Sequence, residues 1–230
     1  MPEIKILFED NHLLVAVKPP NILSQGDSTG DEDMLSILKR DIKIRYDKPG
    51  NVFLGLVHRL DRPVGGVMVF AKTSKAASRL SDSIRRGELK KTYLAVVHGA
   101  PEKREATLIH YLLKDEAANV VTVVPESSGE GKKAVLDYRV KASCGGLSLV
   151  EIELHTGRSH QIRVQLAAVG CPLYGDRKYG AAVNKDDGQL ALWSAKLGFE
   201  HPTLRQPMRF EAGPPAGYPW DMFREALTEV

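Results

Sequence analysis

Two stretches of this chain alternate polar and apolar side chains with a period of two, and that alternation constrains the fold more than any other feature. In Ala134 to Val140, the residues Ala134, Leu136, Tyr138 and Val140 share one side while Asp137 and Arg139 share the other. In Ser148 to Leu154, Val150, Ile152 and Leu154 oppose Glu151 and Glu153. Successive side chains of a strand point to opposite faces, so both stretches are predicted as strands with one face on the core and one in water. Shorter β-branched or apolar runs read as buried strands: Ile4 to Phe8, Leu13 to Val17, Gly66 to Ala71, Tyr93 to Val97 and Val120 to Val124.

Three helices are legible beside them. Ser74 is placed to cap a helix with Ala77, Leu80 and Ile84 inward, Lys75, Arg79, Asp82 and Arg86 outward, and Gly87 as its stop. A second runs from about Asp33 to Ile44 on Met34, Leu35, Leu38 and Ile42; a third runs from about Ser159 to Val169 on Ile162, Leu166 and Val169. Strands outnumber helices without strictly alternating with them. The expectation is an α+β fold, a mixed and largely antiparallel central sheet flanked by helices, rather than a doubly wound parallel one. Pro125 to Lys133 and Ala181 to Gln189 are the most loop-like segments.

The chain has 230 residues, 32 basic against 29 acidic, for a net charge of +3. A chain of this length buries enough surface to fold as a single domain over residues 1–230 without disulfides or a structural metal. No apolar run approaches the roughly 20 residues a membrane span needs. Cys144 and Cys171 are too few for a disulfide scaffold and read as small core residues, and Met1 to Lys5 lacks the pattern of a secretion signal. A cytoplasmic protein is expected, with a basic excess that suits a nucleic-acid partner if the charge is clustered.

Common catalytic signatures are missing: no GxSxG elbow, no phosphate-binding loop, no dinucleotide fingerprint and no zinc-type spacing occurs. Three other constellations stand out. In Leu56 to Gly66, Asp61 lies between Arg59 and Arg62, just before two glycines and the strand Val67 to Phe70. Either Asp61 caps a turn and the arginines solvate it, or it is a buried carboxylate kept ionised by a guanidinium, fit to act as nucleophile or electrostatic stabiliser. In Leu154 to Leu166, Arg163 sits one position round the helix from Ile162, where it could reach an aspartate elsewhere or simply add to a basic face. In Lys90 to Gly99, Tyr93 is a lone aromatic with a polar tip, a core tyrosine unless a base stacks upon it.

These runs resemble one family. HRLDRPVGGVMVFAKT looks like the catalytic motif of the RluA family of pseudouridine synthases, KKTYLAVVHG like its tyrosine segment, and TGRSHQIRVQLAAVGCPLYGDRKYG like its arginine segment. The opening EDNHLLVAVKPPNILSQ and the later LGFEHPTLRQPMRFEAGPP are similar to the family's start and end. Gly65 stands where the family often has Ser, and Gln165 where it often has His; both bear on the choice of RNA target more than on the reaction. The chain opens directly on the catalytic region, without the S4-like domain of many relatives, so discrimination is expected to reside in one domain and its loops.

The resemblance implies isomerisation of a flipped-out uridine in ribosomal or transfer RNA, with no metal or organic cofactor. It makes Asp61 the essential carboxylate, acting at the ribose C1′ by covalent addition or by assisting proton loss from C2′, routes the sequence leaves open. Arg163 then pairs with Asp61, and Tyr93 stacks on the target base. Arg59 is the candidate to take the place of the everted base, with His58, Arg62, Arg158 and Gln161 as further substrate contacts. The basic pairs Arg85-Arg86, Lys90-Lys91, Lys132-Lys133 and Arg177-Lys178 would hold the RNA backbone. A monomer is expected. The alternatives are a non-catalytic RNA-binding or ribosome-assembly protein of the same fold, and a glycosidase acting through Asp61 and a second acid.

Overall fold

In chain order the elements are β1 (Ile6–Glu9), β2 (Leu13–Lys18), α1 (Met34–Arg45), β3 (Gly55–Leu56), β4 (Gly65–Ala71), α2 (Ser74–Arg85) and β5 (Lys90–His98). They continue with β6 (Glu105–Asp115), β7 (Val120–Val124), β8 (Lys132–Cys144), β9 (Leu147–Leu154), α3 (Gln161–Ala168), β10 (Leu192–Glu200), β11 (Pro207–Glu211) and α4 (Arg224–Thr228). The structure, a computed structural model, describes residues 4–185 and 188–228, so part of the predicted Ala181 to Gln189 loop lies outside the described residues. The chain forms two compact units, Met1–Lys90 with Ser194–Ala212, and Lys91–Trp193 with Gly213–Val230.

In the first unit β1, β2 and β4 are successive antiparallel neighbours, β3 pairs with β4, and the returning strand β10 lies beside β4 and pairs with β11. Every residue of β4 is buried, as are Leu13 to Ala16 of β2. Leu13, Val15, Val67, Val69 and Ala71 pack with Ala76 and Leu80 of α2 and with Leu197 and Phe199 of β10. Gly66 permits the β10 contact: its φ is +122°, and a Cβ there would stand 2.2 Å from the Ser194 carbonyl oxygen. The cap of α2 is Thr73, not Ser74; the Thr73 hydroxyl accepts the Ala76 N–H at 3.1 Å, and Ser74 is already helical. The helix expected to begin at about Asp33 begins at Met34, with Asp33 as its cap, accepting the Ser36 N–H at 3.2 Å.

The second unit is an antiparallel sheet in the order β5-β9-β8-β6-β7. Both alternating stretches fall within it. Leu136 and Tyr138 are buried beside exposed Arg139, and Val150 and Ile152 beside exposed Glu153. The segment read as loop up to Lys133 is shorter: Lys132 and Lys133 already belong to β8, opposite Leu112 and Tyr111. The third helix also ends sooner, at Ala168. Val169 is therefore outside it and 39% exposed rather than inward. Cys171 is buried, but Cys144, at the solvent end of β8, is exposed and not a core residue. A 3₁₀ turn at Trp220–Phe223 buries Trp220 and Phe223. Among the described residues no helix is long and apolar enough to cross a membrane.

Candidate active site

The loop from Val57 to Val64 joins β3 to β4, and its backbone is fixed at several points. His58 Nε2 accepts the Val69 N–H at 3.1 Å, which leaves the ring proton on Nδ1. The Ser24 hydroxyl accepts the Leu60 N–H at 3.1 Å and donates to the Leu60 carbonyl at 2.8 Å, so one side chain holds both polar groups of that residue. The Val64 N–H closes a turn on the Asp61 carbonyl at 3.0 Å. Asn21 N–H meets the Arg62 carbonyl at 2.8 Å. Asp61 is half-buried in this turn, Arg59 is exposed, and the Arg62 guanidinium pairs with Asp31 at 2.8 Å, both well exposed.

Lys18, which sequence reasoning missed, lies under the same turn. Its side chain is fully buried, and Nζ donates to the carbonyls of Pro19 at 3.0 Å, Arg62 at 3.0 Å and Val64 at 2.7 Å. Burial pushes its pKa down to about 7, against the opposing pull of the Asp61 carboxylate. The one sequence signal was a lysine closing an otherwise apolar strand.

In the second unit, Arg163 is 7% exposed and gripped in bidentate fashion by Asp176, with Nε at 2.7 Å and Nη2 at 2.8 Å. Asp176 is itself 1% exposed and also accepts the N–H groups of Lys178 and Tyr179, at 3.0 and 3.2 Å. The Arg163 guanidinium lies over the Tyr179 ring, 5.1 Å from its centroid. The Tyr179 hydroxyl accepts the Val121 N–H at 3.0 Å and meets His160 Nδ1 at 2.6 Å. Asn184 fastens the loop that carries Asp176, donating to the carbonyls of Leu173, Asp176 and Gly180 and accepting the Gly175 N–H. Asp176 and Tyr179 also went unread in the sequence, where only the basic pair between them drew notice.

The other expected contacts have defined places in this unit. Tyr93 is buried on β5 opposite Ile152. Gln161 is buried; its amide oxygen accepts from the Thr156 hydroxyl at 2.8 Å and the Arg158 N–H at 3.0 Å, and its nitrogen donates to the Val135 carbonyl at 3.1 Å. It therefore shapes the Thr156 to His160 turn from within. Arg158 is exposed, with Nε on the Lys133 carbonyl at 3.0 Å. On the sheet face Asp137, Glu153 and His155 bring their ligand atoms within 4.8 Å of one another. Hydrogen bonds from Thr107 and His155 keep Asp137 below the usual carboxylate range.

Comparison with known proteins accords with this arrangement. Residues 12–168 match the family model described as RNA pseudouridylate synthase. RNA pseudouridine synthase YhcT of Bacillus subtilis is 37% identical over 217 residues, covering 93% of this chain and 70% of that protein. Ribosomal large subunit pseudouridine synthase D of Zymomonas mobilis is 32% identical over 225 residues, covering 92% and 69%. Among solved structures, human RNA Pseudouridylate Synthase Domain Containing 4 superposes with a TM-score of 0.77 at 23% identity, covering 97% of this chain and 92% of the other, a likeness of fold. The chain belongs to the RNA pseudouridylate synthase family. It is an isomerase that acts on RNA, and its α+β fold is the one expected from its strand-rich pattern.

Proposed function

We propose that the chain converts a uridine of ribosomal RNA to pseudouridine with Asp61 as the essential carboxylate. In this reaction the N1–C1′ bond breaks and a C5–C1′ bond forms. The base turns in between, C5 loses a proton and N1 gains one, so no atom is added or lost. Arg163 is the cation assigned to keep Asp61 ionised, Tyr93 the ring on which the base stacks, and Arg59 the side chain that fills the space of the everted nucleotide. His58, Arg62, Arg158 and Gln161 act with them in holding substrate. The chain works as one catalytic domain, as a monomer in the cytoplasm.

The observation that carries this reading is the segment from His58 to Gly66. It lies inside the family match, and it presents Asp61 from a loop whose neighbouring peptide groups are tied down by Ser24, Asn21 and Lys18. An acid that must meet one ribose carbon gains from such a fixed mount. Ribosomal RNA is favoured over transfer RNA because the named relatives include ribosomal large subunit enzymes. The test is chemical mapping of pseudouridine in total RNA from cells with and without the gene, followed by repair of the missing site with purified protein. Restoration in 23S or 16S RNA is expected, while a site that appears in transfer RNA overturns the substrate assignment. Asp61→Asn is expected to cut turnover by a factor on the order of 10³ or more while leaving RNA affinity near native; normal turnover in that variant overturns the role of Asp61.

A further inference from the structure

We propose that Asp137, Glu153 and His155 form a binding site for a first-row divalent cation such as Zn²⁺, on the face of the second unit's sheet turned away from Tyr93. One ligand atom from each residue lies within 4.8 Å of the other two, a span that a single ion closes with small side-chain rotations. β8 supplies Asp137, β9 supplies Glu153, and His155 follows β9 directly. Tyr93 and Ile152 are partners across β5 and β9, so the next residue along β9, Glu153, points to the opposite face. The site therefore stands apart from the residues assigned to the reaction, and the inference does not depend on that assignment.

Two features separate the triad from an ordinary patch of surface acid. The first is an uncompensated charge pair: Asp137 and Glu153 are direct partners in the β8–β9 ladder, and carboxylates so placed repel. The neighbouring row of the same face, Glu105, Arg139 and Glu151, sets a guanidinium between its acids, with Arg139 Nε 3.2 Å from Glu105. The row of Thr107, Asp137, Glu153 and Thr92 holds no cation, and among the described residues the Glu153 carboxylate has neither an ion pair nor a hydrogen bond. The second feature is the imidazole. His155 Nε2 stands 2.6 Å from Asp137 Oδ2, while the Thr107 hydroxyl donates to Oδ1 at 2.6 Å and so orients the carboxylate. These hydrogen bonds hold Asp137 below the usual carboxylate range, ready to ligate at neutral pH. When an ion takes Nε2 the ring proton stands on Nδ1. The ligand set is then one nitrogen and two carboxylate oxygens, with the fourth position open to water, as the 44% exposure of both Asp137 and His155 allows. Such a set suits Zn²⁺ rather than Mg²⁺ or Ca²⁺, which prefer oxygen ligands throughout. Asp137 and Glu153 also line a hollow of about 370 Å³ with Glu105, Thr107, Arg139 and Glu151, through which a hydrated ion can enter.

The test is calorimetric titration of the whole chain with Zn²⁺ at neutral pH, after removal of bound metal with a chelator and without RNA. One ion per chain is expected, at a micromolar Kd or tighter. Glu153→Gln and His155→Ala should each weaken binding about tenfold or more, and Thr107→Val, which removes only the group that orients Asp137, by about tenfold. Cys144→Ser removes the exposed thiol and should leave the titration unchanged. In thermal unfolding, Zn²⁺ at about a hundredfold excess over Kd should raise Tm by roughly 5 °C in the native chain and not in Glu153→Gln. The ion-free Tm of Glu153→Gln should equal or exceed the native value, because the repulsion with Asp137 is gone, so a loss of binding there is not a loss of fold. No binding overturns the proposal. Binding that persists in both Glu153→Gln and His155→Ala, or that vanishes in Cys144→Ser, also overturns it and marks the zinc as an adventitious ion only. Each reading is taken without turnover, so the outcome is separate from the role of Asp61.

Discussion

At the scale of single residues, Arg163 and Asp176 carry the sharpest energetic contrast. A guanidinium and a carboxylate removed from water are tolerable only as a fully bonded pair, and the two parallel contacts at 2.7 and 2.8 Å meet that condition. Asp176→Asn preserves shape but deprives the buried guanidinium of this counter-charge. It is expected to cost about 3 to 5 kcal/mol of stability, read as a lower midpoint in urea unfolding. In the sequence Arg163 was legible because it interrupts the apolar pattern of a helix. Asp176, 13 residues on and outside any periodic element, was not; nothing local distinguishes an acid that pairs from one that meets water. Asp61 was legible for the opposite reason, as an acid set between two arginines at the edge of an apolar strand. Lys18 and Ser24 were illegible because their partners lie 36 to 46 residues away.

Among the elements, the start of α2 offers a direct check. Thr73 and Ser74 are adjacent hydroxyl residues with equal claims in a linear reading, but the Thr73 backbone is extended (φ −137°, ψ 152°) and its oxygen meets the Ala76 N–H. Thr73→Ala should destabilise the chain by about 1 kcal/mol, whereas Ser74→Ala should leave denaturant unfolding nearly unchanged. The strands with clean alternation were visible in advance; β8 runs further than expected, through Lys132 and Lys133 at one end and Lys141 to Cys144 at the other, where the alternation is lost. The 11-residue β6 escaped notice altogether: its inward Leu108 and Leu112 are spaced four apart, a pattern shared with helices. Tyr179 gives β7 a tie that its sequence could not disclose, taking the Val121 N–H on its hydroxyl.

For the molecule as a whole, acid should be more disruptive than the near-neutral net charge suggests. Burial raises the pKa of Glu9, but Lys72 at 2.6 Å and Arg45 at 2.8 Å more than offset it. Burial likewise opposes ionisation of Asp10, yet the N–H groups of His12 and Leu13 and the His201 ring hold it below the ordinary value. Both folded-state values lie under the unfolded ones of 4.5 and 3.8, so this stabilisation is present above those values and disappears as pH falls through the folded ones. Thermal unfolding followed between pH 6 and about 2.5 should show a declining midpoint below about 4.5, and a shallower decline in Glu9→Gln and Asp10→Asn. The α+β class followed from counting strands. The return of Ser194–Ala212 to the unit begun by Met1–Lys90 did not, since about a hundred residues intervene and no periodicity records so distant a pairing.

That return has a consequence for synthesis on the ribosome. The first ninety residues emerge early, yet β4 lacks β10 as a neighbour until the chain has grown past Glu200. During that interval the part of this apolar strand that β3 leaves uncovered presents an open edge, the state most inclined to join a foreign chain. Slowing translation between codons 90 and 200 would prolong the hazard, and a nascent chain truncated before codon 192 should require a chaperone to stay dispersed.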